Sequence, residues 1–344
     1  MNDFQLLKNR DRKRKLLIVE GEHEKYKLFK LILQTFQEID ISIEDIVIYE
    51  TNIIEDIVIY ETNIYVLHKQ IAEYYGDEWY NEDVDLPHII GKHNNKKIDK
   101  NSYTNIFLIF DYERHDPYFS EDKIEKLQRY FIDSADMGKL YINYPMIESY
   151  QHHNPFPDAG YDELFVSVAL QPGSRYKGLV KDTFIARLID LPEKLEKLLS
   201  DRFGIGDIEA CKKCTQKLLE ISNPTNLLEN INQVLLEFLS DSEIQVAKKQ
   251  IYHWLKSKEH IQNSKSYYDY MREIFIQIVL HNISKGSKIQ NINSNDNRYL
   301  FELLDLSKIL NIQNNVSRDT ITGYIWVLNT CVFIIPDYNF SLVE

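Results

Sequence analysis

Cysteine is scarce in this chain, with Cys211, Cys214 and Cys331 the only three in 344 residues. That is too few for a disulfide framework. Long apolar runs are missing too, and no stretch reaches the ~18 residues that a membrane span requires. Residues 1–21 read MNDFQLLKNRDRKRKLLIVEG, basic and then apolar. The apolar run is too short for a signal peptide and soon meets Glu20, Glu22 and Glu24. A soluble, cytoplasmic protein is expected. Positive charge is also short, with 40 Lys and Arg against 53 Asp and Glu, a net charge of −13. This excludes a passive, sequence-independent nucleic-acid coat, which needs excess cations to displace counterions. It does not exclude a metal-dependent nuclease, whose site concentrates carboxylates and whose metal restores positive charge. No GxxxxGK[ST] run occurs, so an ATPase would have to be a separate chain.

What is present suffices for two domains: 344 residues, of which 44% are hydrophobic. Residues 1–14 read as a polar, basic lead-in. Residues 15–21 (KLLIVEG) are a short apolar run ending in an acid and a glycine, the pattern of a buried strand and its exit turn. Residues 22–37 follow with Tyr26, Phe29, Ile32, Leu33 and Phe36 at helical spacing. Residues 44–54 (EDIVIYETNII) and 55–65 (EDIVIYETNIY) form a direct tandem repeat that differs only at its last position. Two copies are too few for a solenoid, so a local duplication of one strand is expected. The pattern then predicts a helix over 66–80, a polar irregular stretch over 81–102, and a strand over 105–111 (NIFLIFD) ending in Asp111. A helix over 120–133 capped by Ser120 follows, then a strand over 139–143 and a Pro145-opened helix carrying Glu148. Residues 151–176, with Pro155, Pro157, Gly160, Pro172 and Gly173, read as a linker loop. Beyond it, residues 177–344 read as a helical domain, with helices over 184–201, 207–221, 226–239, 243–256, 266–282, 298–310 and 318–333. The fold class is therefore α/β, a mainly parallel sheet flanked by helices, followed by a mostly α-helical half.

Acids end two of these strands, at Glu20 and Asp111, with Glu113 one spacer further on. Open α/β sheets place ligands outside the carboxyl ends of their strands. Mg²⁺ takes oxygen ligands and usually only one or two carboxylates beside water and substrate phosphate. Acids at two strand tips can therefore meet at one metal, which orients water and neutralises phosphoryl charge. The same pattern also suits a doubly wound domain that merely exposes acids at its strand ends.

LLIVEGEHEK resembles the first motif of the Toprim domain, a strand followed by Glu-Gly. FLIFDYERHD resembles the second, a strand followed by Asp-x-Asp. The resemblance covers residues 15–150. It implies that Glu20 is the acid/base or metal-ligand glutamate, that Glu24 is the acid often found four residues later, and that Asp111 and Glu113 are the paired metal acids. Glu113 departs from the family, where the second acid is usually Asp. YPMIESY is similar to a Pro-x-x-Glu element that brings Glu148 to the site. The whole chain looks most like the Toprim nuclease effector subunits of bacterial anti-phage and abortive-infection systems, which work beside an ABC-type or OLD-like ATPase. It implies a Mg²⁺-dependent (or Mn²⁺-dependent) nuclease cutting DNA or RNA. Two alternatives stay open: a non-catalytic regulatory or interaction subunit, and an enzyme acting on nucleotides or phosphate esters. Homo-oligomerisation is left open as well.

Other residues carry weaker signals. Cys211-Lys-Lys-Cys214 is a CxxC without the two further ligands that structural zinc needs. His115, His152 and His153 follow the acidic motifs, and any of them could contact substrate or move a proton. Arg175, Lys177 and Lys181 form a basic stretch that could hold a phosphate backbone, as could residues 10–15 (RDRKRK). For each of these a solvated or packed side chain is the simpler expectation.

Overall fold

A computed structural model of the chain describes residues 14–20, 24–39, 57–60, 63–93, 98–112, 114–170 and 173–344; for residues 14, 24–26, 57–60, 93 and 102 it describes the backbone alone. Among these residues a five-stranded sheet runs in the order β2-β1-β3-β5-β4, with β1 Arg14–Glu20, β2 Ile57–Tyr60, β3 Tyr103–Asp111, β4 Ile132–Asp133 and β5 Gly138–Asn143. β2, β1, β3 and β5 pair in parallel, and the two-residue β4 closes one edge antiparallel to β5. Buried parallel strands read as continuous apolar runs because both faces are covered. LLIV in β1 and IFLIF in β3 are such runs, and each alternates between two cores. Leu17, Val19, Phe107, Ile109 and Tyr141 face one; Leu16, Ile18, Ile106, Leu108 and Phe110 face the other.

Helices cover both faces. α1 Glu24–Thr35 follows β1 in the chain and buries Phe29, Ile32 and Leu33 in the first core, with Phe36 just past its end buried there too, the stripe expected of residues 22–37. α2 Ile64–Tyr75, α3 Leu86–His93 and α4 Glu121–Tyr130 cover the second. The Asn63 side chain caps α2, accepting from the Tyr65 and Val66 amides, and Gly76 ends it at φ 85. The expected cap of α4 is present, with the Lys123 N–H donating to Ser120 Oγ. α4 ends at Tyr130, short of residue 133, because Ile132 and Asp133 pair with β5. α3 corrects the reading of 81–102 as irregular: Leu86, Ile89 and Ile90 lie on one helical face and are buried. Of the tandem repeat, the second copy supplies β2, and the first copy lies outside the described residues.

Most of the remaining helices fall where the periodicity puts them, although the one expected over 266–282 runs on to residue 289 (Tyr267–Ile289), and three stretches differ in kind. Residues 184–201 form two helices, Phe184–Ile189 and Leu191–Phe203, parted at Asp190 with Pro192 in the first turn of the second. Residues 298–310 likewise split into Asn297–Glu302 and Leu306–Val316, each capped by its own aspartate, Asp296 and Asp305. Residues 318–333 are not a helix but a turn, the strand β7 Tyr324–Trp326 and a short 3-10 turn at Cys331–Phe333. β7 pairs antiparallel with β6 Phe165–Ser167, so residues 151–176 are more than a loop. That stretch also contains the start of α5 Gly173–Val180.

The last thirty residues return to the sheet. Leu328 bridges Tyr144, just past β5, and Asp337 accepts from Lys139 Nζ (2.6 Å) and from the Tyr141 hydroxyl. The first core joins α1 and one sheet face to the helices after residue 184. The second core takes in Leu310, Ile325 and Leu328. No helix among the described residues is long and apolar enough to cross a membrane.

Candidate functional site

The strand order fixes where a site can form. From β1 the chain moves outward to β2, then returns across β1 to β3. In open α/β sheets the usual ligand position at such a reversal is outside the carboxyl ends of the strands that flank it, here β1 and β3. Glu20 is the last residue of β1 and Asp111 the last of β3.

The Asp111 N–H donates to Glu20 Oε2 (3.1 Å), registering the first carboxylate on the second strand. Asp111 is 3% exposed, and its Oδ1 accepts from the Ile147 N–H (2.9 Å). Ile147 opens the 3-10 turn Ile147–Gln151, which carries Glu148. Two backbone amides thus tie the Glu20 carboxylate to Asp111 and the Asp111 carboxylate to Ile147, the residue before Glu148. Glu148 is 4% exposed, and Lys177 Nζ of α5 lies 3.0 Å from its Oε1. Burying a carboxylate is costly unless a cation or donors accompany it. Lys177 is thus a partner of the acidic edge, where the sequence suggested a phosphate contact.

The other expected site residues are placed as follows. Glu113 lies outside the described residues, as do residues 10–13, and Glu24 opens α1 with its side chain undescribed. His115 Nε2 is 2.7 Å from the Val168 carbonyl, which can only accept, so Nε2 carries the proton. Arg175 is exposed, and its Nη1 donates to the Ala169 carbonyl (3.1 Å). His152 Nδ1 is 3.1 Å from the Tyr176 hydroxyl, and burial lowers its pKa to about 4. His153 is 3% exposed and stacks on Tyr161 with ring centroids 3.9 Å apart, and burial holds it well below the usual histidine range. Both are neutral packing residues at pH 7. Cys211 and Cys214 are buried free thiols on one helix, and burial pushes Cys214 up to about 12. That is the inert state of a structural cysteine.

No sequence signal marks the residues that brace Ile147. Asn329 Nδ2 donates to the Ile147 carbonyl (2.7 Å) and to Ser149 Oγ (3.0 Å). The Asn329 N–H donates to Asn282 Oδ1 (2.7 Å). Asn143 Oδ1, beside Asp111 in register, accepts from the Thr330 and Cys331 amides (3.2 and 3.0 Å). Ile147 is therefore held from both ends of its peptide groups, by Asp111 at its N–H and by Asn329 at its carbonyl. Asparagine is frequent in this chain, so no single one stands out in the sequence.

Among the described residues no group of three or more His, Cys, Asp or Glu side chains is arranged to hold a metal ion. The chemistry of Glu20 and Asp111 nevertheless suits a hard cation. Both offer carboxylate oxygens, and Mg²⁺ commonly takes only one or two carboxylates and completes its shell with water and phosphate. Comparison of the chain with protein-family models, curated proteins and solved structures gives no match.

Proposed function

We propose that this chain is a Mg²⁺-dependent nuclease of Toprim type, cutting DNA or RNA as the effector of an anti-phage system beside a separate ATPase. The observation that carries the reading is the meeting of Glu20 and Asp111 at the carboxyl ends of β1 and β3, where the Asp111 carboxylate also accepts from Ile147, the residue before Glu148. The sequence motifs around these acids supply the family part of the reading, and the ATPase follows from that resemblance alone.

A bound Mg²⁺ would supply a polarised water and neutralise charge on the phosphate. Glu20 and Asp111 would hold it, with Glu113 and Glu24 as further acids from the motifs. The protein's own part is placement. The Ile147 amide fixes the rotamer of Asp111, and the Asp111 amide fixes Glu20. Lys177 balances the buried Glu148, so that this carboxylate adds no uncompensated charge next to Ile147.

The test is cleavage of labelled DNA and RNA by the full chain in Mg²⁺ or Mn²⁺, alone and with a partner ATPase, against Glu20→Gln and Asp111→Asn. Metal-dependent cleavage that both substitutions abolish supports the nuclease. Undiminished cleavage in both would remove it.

A second reading is a non-catalytic interaction subunit with the same fold. It is favoured by the structural use of both carboxylates, each already accepting a backbone N–H, and by the ion pair at Glu148. Absence of both metal binding and cleavage, with and without the partner, would select it.

A further inference from the structure

The β6–β7 ribbon presents two unlike faces. Val166 and Ile325 point inward and are buried. On the outer face Phe165 stands opposite Trp326 in register, with Tyr324 two residues along the same strand. The three rings form one cluster, with centroids 4.9 Å apart for Phe165–Tyr324, 5.8 Å for Phe165–Trp326 and 5.5 Å for Tyr324–Trp326. Phe165 is 54% exposed, and Tyr324 and Trp326 are each partly exposed. One cross-strand aromatic pair would suffice to hold a short ribbon. A third ring and a half-exposed phenylalanine go beyond that need.

The ribbon's position links it to the acidic edge. β7 continues to Leu328, which bridges Tyr144, the residue after Asn143; Asn143 is the register partner of Asp111. At ~3.3 Å per residue and ~4.8 Å per strand, the rings begin roughly 15 Å from Asp111. At its other end β6 runs into Val168 and Ala169. The Val168 carbonyl takes His115, four residues after Asp111, and the Ala169 carbonyl takes Arg175. α5 carries Arg175 and Lys177 and no acid: Arg175 is exposed and reaches back to the Ala169 carbonyl two residues past β6, while Lys177 pairs with Glu148. Of the acids flanking the ribbon in sequence, Glu163 pairs with Lys288, Asp162 accepts from Ser284 Oγ (3.0 Å), and the exposed Asp319 accepts from the Ile321 and Thr322 amides (2.8 and 2.9 Å).

We propose that the outer face of the β6–β7 ribbon is a stacking platform for unpaired bases, so that the substrate is single-stranded nucleic acid whose phosphates cross Arg175 toward the acidic edge. Aromatic rings bind bases of any sequence through their π-faces, and interleaved cations follow the backbone. Stacking also fits the net charge. At −13 the chain cannot draw most of its affinity from counterion release. The direction of the strand rests on the nuclease reading; binding at the platform does not.

The experiment measures fluorescence polarisation of fluorescein-labelled 20-nucleotide oligothymidylate and oligouridylate, and of a duplex of equal length, on the full chain in EDTA. The variants are Phe165→Leu with Tyr324→Leu, which keep apolar bulk and remove the rings, and Phe165→Trp, which keeps a ring. Single strands are expected to bind at least about tenfold more tightly than duplex. The double leucine variant, with an unchanged melting curve, is expected to lose about tenfold or more in single-strand affinity, and Phe165→Trp to retain it. Equal binding of single strand and duplex, wild-type affinity in the folded leucine variant, or no binding by the wild type would each overturn the proposal. Binding in Asp111→Asn keeps the two readings apart. Lost cleavage there with normal binding in the leucine variant removes the platform and leaves the nuclease. Lost binding in the leucine variant without any cleavage by the wild type does the reverse.

Discussion

The Asp111 backbone N–H donates to Glu20 Oε2 across 3.1 Å, so the carboxylate that ends β1 is positioned by the residue that ends β3. The side chain of Asp111 is in turn positioned by Ile147. A chain of amide-to-carboxylate bonds thus joins β1, β3 and the turn after β5.

Asp111→Asn and Asp111→Ala should separate. Asparagine keeps the oxygen that accepts from Ile147 and nearly the same volume, so its stability is expected within about 1 kcal/mol of wild type. Alanine leaves the Ile147 N–H unpaired at a buried position and is expected to cost about 1–3 kcal/mol. Urea unfolding measures both, and equal stabilities would contradict the assigned role of Oδ1.

Asn329→Ala removes the brace on the other side of Ile147. It strands the Ile147 carbonyl and Ser149 hydroxyl in the interior, for an expected loss of about 2–4 kcal/mol. Because Ile147 carries Asp111, the loss should be accompanied by slower cleavage although Asn329 touches no substrate. A stability loss below about 1 kcal/mol would show that the brace is dispensable.

Gly323 opens the approach to β7. A Cβ built there would lie 2.1 Å from the Asp319 carbonyl oxygen, which is backbone and cannot swing aside. Gly323→Ala is expected to cost about 1–3 kcal/mol or more and to loosen the ribbon. Limited proteolysis around residues 318–326 reads this directly, and an unchanged digestion pattern would speak against it.

Acid should destabilise the chain through buried histidines. Burial lowers His260 to about 4, and both of its ring nitrogens are without a hydrogen-bond partner. An unfolded histidine titrates near 6.5, so between those values the unfolded chain binds more protons. Stability is therefore held above about pH 6.5 and falls as pH drops toward 4. His68 and His152 are lowered to about 4 by burial and act in the same direction. His260→Leu should reduce the stability lost between pH 7 and pH 5 by about 2 kcal/mol, measured by urea midpoints at the two values. An identical pH dependence would contradict the buried neutral state.

Much of the fold could be read from local pattern. The apolar runs of β1 and β3, the stripe of α1 and the Ser120 cap of α4 are short-range signals that tertiary contacts reinforce. Glu20 and Asp111 were legible for the same reason, as acids ending buried runs. Residues 318–333 were not. Their apolar content suits either period, and only Gly323 and the alternation of Ile325 and Val327 inward against Tyr324 and Trp326 outward mark a strand. The pairing of Glu148 with Lys177 and the brace from Asn329 join residues 29 and 182 positions apart. Nothing periodic encodes such contacts.

In the proposed mechanism Glu20 and Asp111 together hold a divalent cation. Titration of the full chain with Mn²⁺, with free ion followed by electron paramagnetic resonance, tests it without any substrate. We expect saturable binding that Mg²⁺ competes away and that Glu20→Gln and Asp111→Asn each weaken by tenfold or more, with melting curves near wild type. Binding that is unaffected by both substitutions, or no binding by the wild-type chain, would contradict it.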